Sequence, residues 1–197
     1  MGRGRPRAFD KGKALDTALE LFWRHGYEGT SISLLAERIG INVPSLYAAF
    51  GNKESLFLRA IERYSELNGR IYHESFKKKT AREVALAILT GEAELVTQRG
   101  RPDGCLMVQG ALATSPESEK ISEMMAGMRG MAEKWMAERF ERAKEENDLP
   151  ADADPKSLAS YIMTLNSGLA VQAKSGVGKK QLLKVVEIAM RNWPNVS

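Results

Sequence analysis

Side chains that can bind phosphate lie close together between residues 30 and 53. Thr30, Ser31 and Ser45 carry hydroxyl groups. Tyr47 adds a phenol, and Lys53 adds a positive charge. Such groups hydrogen-bond the phosphate oxygens of nucleic acids, and a serine can also hydrogen-bond a base edge. The residue types therefore favour a nucleic-acid interface, on the condition that the backbone brings them to one surface.

Two short helices joined by a tight turn are predicted over residues 32–50. Apolar residues recur at helical spacing up to Gly40, and a second helical pattern begins near Pro44. Gly40 can adopt the left-handed conformation that ends the first helix, and Asn42 or Val43 can cap the second. This is the sequence form of a helix-turn-helix, whose second helix can enter the DNA major groove. The alternative is an ordinary helical hairpin inside an all-α core.

The positive charge of the chain is concentrated in the same half. The 197 residues have a net charge of +4. Residues 1–79 hold 14 Lys/Arg and 9 Asp/Glu, a net +5, whereas residues 80–197 hold 15 and 16, a net −1. A basic excess beside the predicted helix pair is what a phosphate-binding surface requires.

Composition and cysteine content predict the compartment. A hydrophobic share of 43% with 27% charged residues is typical of a soluble globular protein. No apolar run approaches the ~20 residues that a membrane helix needs, and residues 1–10 lack the apolar segment of a signal peptide. Cys105 is the single cysteine, so no internal disulfide can form. We therefore expect a cytoplasmic protein with no membrane partner.

The first residues form a basic segment. Arg3, Arg5 and Arg7 alternate with glycine and proline, and no apolar residue anchors them. Such a segment predicts a flexible arm over residues 1–9. Its arginines suit the narrow, negative minor groove of A·T-rich DNA. The alternative is a solvated tail without a partner.

Helical spacing continues through the rest of the chain. Gly and Pro clusters separate the apolar patterns, and they place helices over 10–25, 53–78, 80–98, 105–114, 115–147, 156–174 and 179–192. The predicted fold class is therefore all-α.

Residues 10–60 resemble, without a gap, the DNA-binding domain of the TetR/AcrR family of transcriptional regulators. The resemblance is carried by ALELFWRHGYEGTSISLLAERIGINVPSLYAAFGNKESLF, with a first helix ending in His-Gly-Tyr and a Lys-Glu pair opening the fourth. The motifs RPRAFD, FWRHGYEGTS and INVPSLYAAFGNKE look closest to the branch that includes a copper-responsive regulator. The resemblance implies a homodimeric repressor that a small-molecule effector releases from its double-stranded DNA operator.

The resemblance also assigns roles within the DNA-binding domain, expected over residues 10–55. Val43, Pro44, Ser45 and Ala48 would face base edges, whereas Tyr47 and Lys53 would contact phosphates. Because valine, proline and alanine are poor hydrogen-bond donors, direct reading would depend on Ser45 and on thymine methyl groups. The complete set of predicted DNA contacts is Arg3, Arg5, Arg7, Thr30, Ser31, Ser33, Val43, Pro44, Ser45, Tyr47, Ala48 and Lys53.

Residues 56–197 would form a ligand-binding and dimerisation domain, joined to the DNA-binding domain by the long helix over 53–78. The predicted ligand-binding residues are Cys105, Met107, Met128, Met131, Trp135, Met163 and Asn166. The predicted dimerisation residues are Leu158, Tyr161, Ile162, Leu165, Leu169, Leu183, Val186 and Met190. The last two helices offer more apolar surface than one small domain easily hides, which favours a dimer.

The methionines of the second half leave three interpretations open. They can simply pack a core, they can line a flexible pocket for apolar ligands, or they can supply soft sulfur ligands for copper(I). No Cys-x-x-Cys or paired histidine spacing supports a metal site, so none is predicted. Cys105 could be a thiol sensor, but apolar surroundings would raise its pKa and slow its reactions.

The sequence also bears on two other function classes, an enzyme and an architectural DNA-binding protein. The only histidines, His25 and His73, lie in no hydrolase or phosphate-loop motif, so we predict neither an enzyme nor a cofactor. An architectural protein that binds A·T-rich DNA without a sensor is the second alternative. It would have a filled second half and little sequence preference, whereas a regulator should have a pocket and a palindromic site.

Overall fold

The structure is a computed structural model that describes residues 9–194. The arm arginines Arg3, Arg5 and Arg7 lie outside the described residues. Within 9–194 the chain forms ten α-helices, one 3-10 turn at Pro116–Ser118 and no strand. The helices are α1 Lys11–His25, α2 Ile32–Ile39, α3 Val43–Phe50, α4 Lys53–Asn68, α5 Arg70–Phe76, α6 Ala81–Leu95, α7 Leu106–Gln109, α8 Glu119–Glu145, α9 Pro155–Lys174 and α10 Lys179–Arg191. The predicted all-α class is confirmed.

Side-chain caps fix where the first four helices begin. The Asp10 carboxylate accepts two backbone N–H bonds at the start of α1, and Ser31 accepts one at the start of α2. Asn42 and Asn52 do the same for α3 and α4, each at 2.8 Å. Gly40 ends α2 in the left-handed conformation, with φ 78°. Local chemistry therefore specifies the tight turn between α2 and α3.

The N-terminal helices pack on an aromatic core at the start of α4. The Phe57 ring lies 4.9 Å from the Phe22 ring and 5.0 Å from the Tyr27 ring, measured between centroids. Leu35 and Leu46 complete this core from α2 and α3, and both are almost fully buried. The helix-turn-helix is thereby held on α1 and α4.

The C-terminal helices share one apolar core. Helix α9 packs on α6 and α8, and α10 packs on α6. Met136 and Phe140 of α8 are fully buried, and Phe140 lies 5.4 Å from the Trp193 ring. Within residues 9–194, no helix combines the length and hydropathy needed to cross a membrane.

Three predicted helix bounds are corrected. The helix predicted over 53–78 divides at Gly69 into α4 and α5, where the Asn68 side chain donates to the Tyr64 carbonyl. Asn and Gly are weak helix formers, so the break falls at this pair. The helix predicted over 105–114 contracts to α7, and the one predicted over 115–147 begins only at Glu119, after the 3-10 turn.

Candidate functional site

Helix α3 presents one face to solvent and one to the core. Leu46 and Phe50 are buried against the neighbouring helices. Pro44 and Ala48 are exposed, and Tyr47 is 46% exposed. Val43 and Ser45, also predicted to face bases, are half-buried beside them. The predicted base-reading residues and Tyr47 therefore belong to one outward surface.

Lys53 lies at the first residue of α4. Its Nζ is 4.2 Å from the centroid of the Tyr27 ring, an arrangement that holds the ammonium group beside the helix N-terminus. Burial lowers the pKa of Lys53, and the Glu28 carboxylate opposes that shift. The helix N-terminus and the lysine together favour an anion.

The prediction that Thr30 binds phosphate is wrong. Its side chain is fully buried, and its Oγ1 donates to the Gly26 carbonyl at 2.7 Å. The hydroxyl therefore stabilises the turn between α1 and α2. Ser31 and Ser33 are exposed, although the Ser31 Oγ already accepts the Leu34 N–H at 3.1 Å.

The turn after α1 is bonded to the C-terminal domain. The Tyr27 N–H donates to the Gly110 carbonyl at 2.7 Å. The Glu28 carboxylate accepts the N–H and the hydroxyl of Ser115, both at 3.0 Å. Hydrogen bonds from Ser118 and then Ser115 lower the pKa of Glu28. The segment after α7 thus holds the turn that precedes the helix-turn-helix, a contact that the sequence analysis did not predict.

Five polar side chains from different elements meet inside the C-terminal domain, and we name them the polar cluster: Tyr64, Tyr72, Glu92, Cys105 and Asn166. The Tyr64 hydroxyl donates to the Cys105 Sγ at 3.2 Å, and Asn166 Nδ2 donates to the Tyr72 Oη at 2.9 Å. Within residues 9–194, Glu92 Oε1 and Asn166 Oδ1 have no hydrogen-bond partner. Buried polar atoms are normally paired, so these two oxygens need an explanation.

Burial dominates the electrostatics of the polar cluster. It raises the pKa of Glu92 to about 7, and hydrogen bonding with Cys105 and Asn166 opposes the shift. Burial, with Glu92 nearby, raises the pKa of Cys105 to about 12. Burial also raises the pKa of Tyr64 and Tyr72. The Cys105 thiol therefore stays protonated at neutral pH, which disfavours its role as a fast thiol sensor.

The variant Glu92→Gln is expected to have a higher free energy of unfolding than the wild type only at a pH where Glu92 of the wild type is ionised. Between pH 4.5 and 7 the folded state keeps a proton that the unfolded state loses, so the free energy of unfolding falls with rising pH. The facing groups Tyr64, Tyr72 and Cys105 do not titrate in this window. Glu92→Gln should therefore add up to about 3 kcal/mol at pH 8 and little at pH 4.5, measured by urea unfolding.

Glu94→Gln is the matched control for that experiment. Glu94 is an exposed acid on the same helix, paired with Lys179 at 2.6 Å. Its replacement should change stability by less than 1 kcal/mol at either pH, by analogy with exposed pairs at about 0–1 kcal/mol. An equal gain from Glu92→Gln at both pH values would contradict a buried, ionising carboxylate.

The predicted ligand-binding residues divide into three groups. Cys105 and Asn166 are in the polar cluster. Met107, Met128 and Met163 are half-buried against the core. Met131 and Trp135 are corrected, because they are 49% and 54% exposed. Trp135 lines an open cleft of about 380 Å³ on the far side of α5, beside His73 and Phe76. Within residues 9–194, no group of three or more His, Cys, Asp or Glu side chains could hold a metal ion.

The predicted dimerisation residues also need correction. Half of them are buried inside the subunit, namely Ile162, Leu169, Val186 and Met190. Leu158, Leu165 and Leu183 are half-buried, and Tyr161 is exposed. The exposed apolar residues of the same two helices are Tyr161, Val171, Val185 and Ile188. Leu165, Gly168, Val171 and Val185 line a groove of about 760 Å³ between α9 and α10.

Comparisons with known proteins agree with this architecture. Residues 14–60 match the model of the family described as bacterial regulatory proteins, tetR family. The chain is 32% identical to the HTH-type transcriptional repressor ComR of Escherichia coli, over 98% of this chain and 93% of that protein. It is 27% identical to the repressor BdcR of the same organism, over 94% and 90%.

One solved structure to which the chain is similar is a complex with DNA. It contains a cysteine mutant of the TetR family transcriptional regulator CifR with a 26-bp double-strand operator. The two chains are 42% identical and superpose with a TM-score of 0.91, over 97% of this chain and 100% of that one. The resemblance to the copper-responsive branch remains a prediction. Because the chain is similar to the regulator CifR along nearly its whole length and exposes the α3 surface described above, it belongs to the TetR family of DNA-binding transcriptional regulators.

Proposed function

We propose that the protein is a homodimeric transcriptional repressor that a small-molecule effector releases from a palindromic operator. The observation that carries this proposal is the outward surface of α3, with Tyr47 exposed and Lys53 at the adjoining start of α4. That surface is suited to reading one half-site, and the arm arginines would add minor-groove contacts. Such a protein acts in the cytoplasm, where its DNA is.

The exposed residues of α9 and α10 support a dimer. Tyr161, Val171, Val185 and Ile188 are large apolar side chains that a single subunit leaves exposed on these two helices. An apolar surface of this kind is stabilised by pairing with the same surface of a second copy about a two-fold axis. Two α3 helices would then read half-sites about 34 Å apart, or a multiple of that distance.

Effector release would depend on two arrangements of the dimer. A ligand that prefers the arrangement unable to bind DNA lowers the affinity of the dimer for its operator. The coupling is reciprocal, so bound DNA lowers the affinity for the ligand by the same free energy. The contacts that could transmit this change run from Cys105, the N-cap of α7, to Gly110 and Ser115. Gly110 and Ser115 bond Tyr27 and Glu28 in the turn before α2.

Selection of bound duplexes from a random DNA pool at physiological salt tests the proposal. The wild-type chain should recover a palindrome, and a chain without residues 1–7 should recover the same palindrome more weakly. Recovery of A·T-rich DNA alone, lost with the arm, would instead support the architectural alternative.

Single substitutions should separate phosphate contacts from base contacts. Lys53→Met should weaken binding to every sequence and reduce the salt slope by about 1, and Tyr47→Phe should also act uniformly. Ser45→Ala should relax preference at one position by about 0.5–1.5 kcal/mol, the net value of a single hydrogen bond. Titrations at several salt concentrations measure both effects, with Lys134→Met and Ser65→Ala as exposed controls on α8 and α4. A uniform loss for Ser45→Ala would contradict base reading.

A further inference from the structure

The carboxylate of Glu92 is buried without a positive partner. Glu92 is 3% exposed, and within residues 9–194 no Lys, Arg or His nitrogen lies within 4.0 Å of it. A buried acid of this kind is normally paired with a cation or hydrogen-bonded on both oxygens. Its Oε1 has neither type of partner. When Glu92 is ionised its Oε1 therefore lacks a hydrogen-bond donor, and a positively charged donor would stabilise it.

A second buried acceptor from another helix lies in the same cluster. Asn166 of α9 is 4% exposed, and its Oδ1 is also unpaired, since its Nδ2 is bonded to Tyr72. The phenol oxygens of Tyr64 and Tyr72 belong to the same cluster, where they are bonded to Cys105 Sγ at 3.2 Å and to Asn166 Nδ2 at 2.9 Å. Phenol rings also attract cations. An unpaired carboxylate oxygen, an unpaired amide oxygen and two phenol oxygens match a donor with several N–H groups.

We propose that the polar cluster binds the ammonium group of a small primary amine, with Glu92 as its counter-ion and Asn166 as its second acceptor. This inference rests on the proposed effector function of the C-terminal domain. An ammonium group has three donors and no acceptor, as the cluster requires. An alcohol has one donor and no charge, and a carboxylate would be repelled by Glu92.

A neighbouring cleft can accommodate the carbon chain of such an amine. The cleft has a volume of about 820 Å³ and is lined by Leu67, Ile71, Gly91 and Leu95, among others. Gly91 directly precedes Glu92, and Ile71 directly precedes Tyr72. A Cβ at Gly91 would lie 2.7 Å from the Ile71 side chain, so α5 and α6 are in close contact there. None of the five polar-cluster residues lines this cleft, so the proposal requires the amine to displace the seven-residue helix α5 to reach Glu92.

Calorimetry on the full chain with three four-carbon probes tests the inference. We expect n-butylamine to bind at least tenfold more tightly than butan-1-ol or butyrate. Glu92→Gln should weaken amine binding at least tenfold, whereas Glu62→Gln, at an exposed acid of α4 outside the cleft, should leave it unchanged. Glu94→Gln, at an acid that lines the cleft, should weaken it much less than Glu92→Gln does. Amine affinity should rise between pH 6 and 8 as Glu92 ionises, because the facing groups Tyr64, Tyr72 and Cys105 remain protonated.

Equal affinity for the alcohol, or full amine affinity in a folded Glu92→Gln protein, would overturn the inference. Loss of amine binding in Glu94→Gln would also overturn it, because the amine would then occupy only the open cleft. Operator binding is measured in parallel to test the wider function separately. Amine binding that depends on Glu92 but leaves operator affinity unchanged would keep the amine site and refute effector release. Operator binding with no amine affinity would refute the amine site alone.

Discussion

Replacing Val171 and Ile188 together with glutamate is expected to lower operator affinity by about 10²–10⁴-fold. Both side chains are about half exposed, at 47% and 54%, on the proposed dimer surface. In a dimer, binding of the second half-site is intramolecular, and this avidity is lost when the subunits separate. Four glutamates near one two-fold axis would repel each other and lose the apolar contact. Titration of the selected palindrome measures the loss.

Sedimentation and a matched pair of substitutions separate dimer loss from unfolding. Leu67→Glu with Leu86→Glu places the same charges at exposed leucines on α4 and α6, at 43% and 38% exposure. That control should stay dimeric and keep its operator affinity. A Val171→Glu, Ile188→Glu protein that sediments as a folded dimer would locate the interface elsewhere.

The DNA-binding domain could be predicted because its signals are local. Asn42 caps α3, Gly40 ends α2, and Leu46 and Phe50 recur at the spacing of one buried face. Each of these signals acts within a few residues, so the sequence is enough to read it. Thr30 is the exception, because its hydroxyl could cap a helix, bind phosphate or, as found, donate to Gly26.

The C-terminal domain was harder to predict because its decisive contacts join distant residues. Helix α9 is apolar on two faces, so spacing alone could not tell the buried Ile162 from the exposed Tyr161. The polar cluster assembles side chains from five parts of the chain. One signal was available, since Glu92 follows Ile88 at helical spacing and interrupts an apolar face.

Phe57→Ala is expected to lower the free energy of unfolding by about 3–5 kcal/mol. The Phe57 side chain is fully buried and contacts both Phe22 of α1 and the Tyr27 turn. Its removal leaves a cavity at the point where α1, α4 and the turn before α2 meet, and the surrounding rings can relax only in part. Urea unfolding followed by circular dichroism measures the change.

Phe57→Ala should also weaken DNA binding, because it displaces the Tyr27 turn that precedes the helix-turn-helix. Tyr27 carries the backbone bond to Gly110 and supports the Lys53 ammonium group, so a displaced ring would loosen both. Leu67→Ala is the control on the same helix, at 43% exposure, and should cost about 0.5 kcal/mol or less. A Phe57→Ala loss below 1 kcal/mol would show that the site collapses without a cavity. Collapse of that kind would draw the Tyr27 turn toward α4, so operator affinity should fall even though most of the stability is retained.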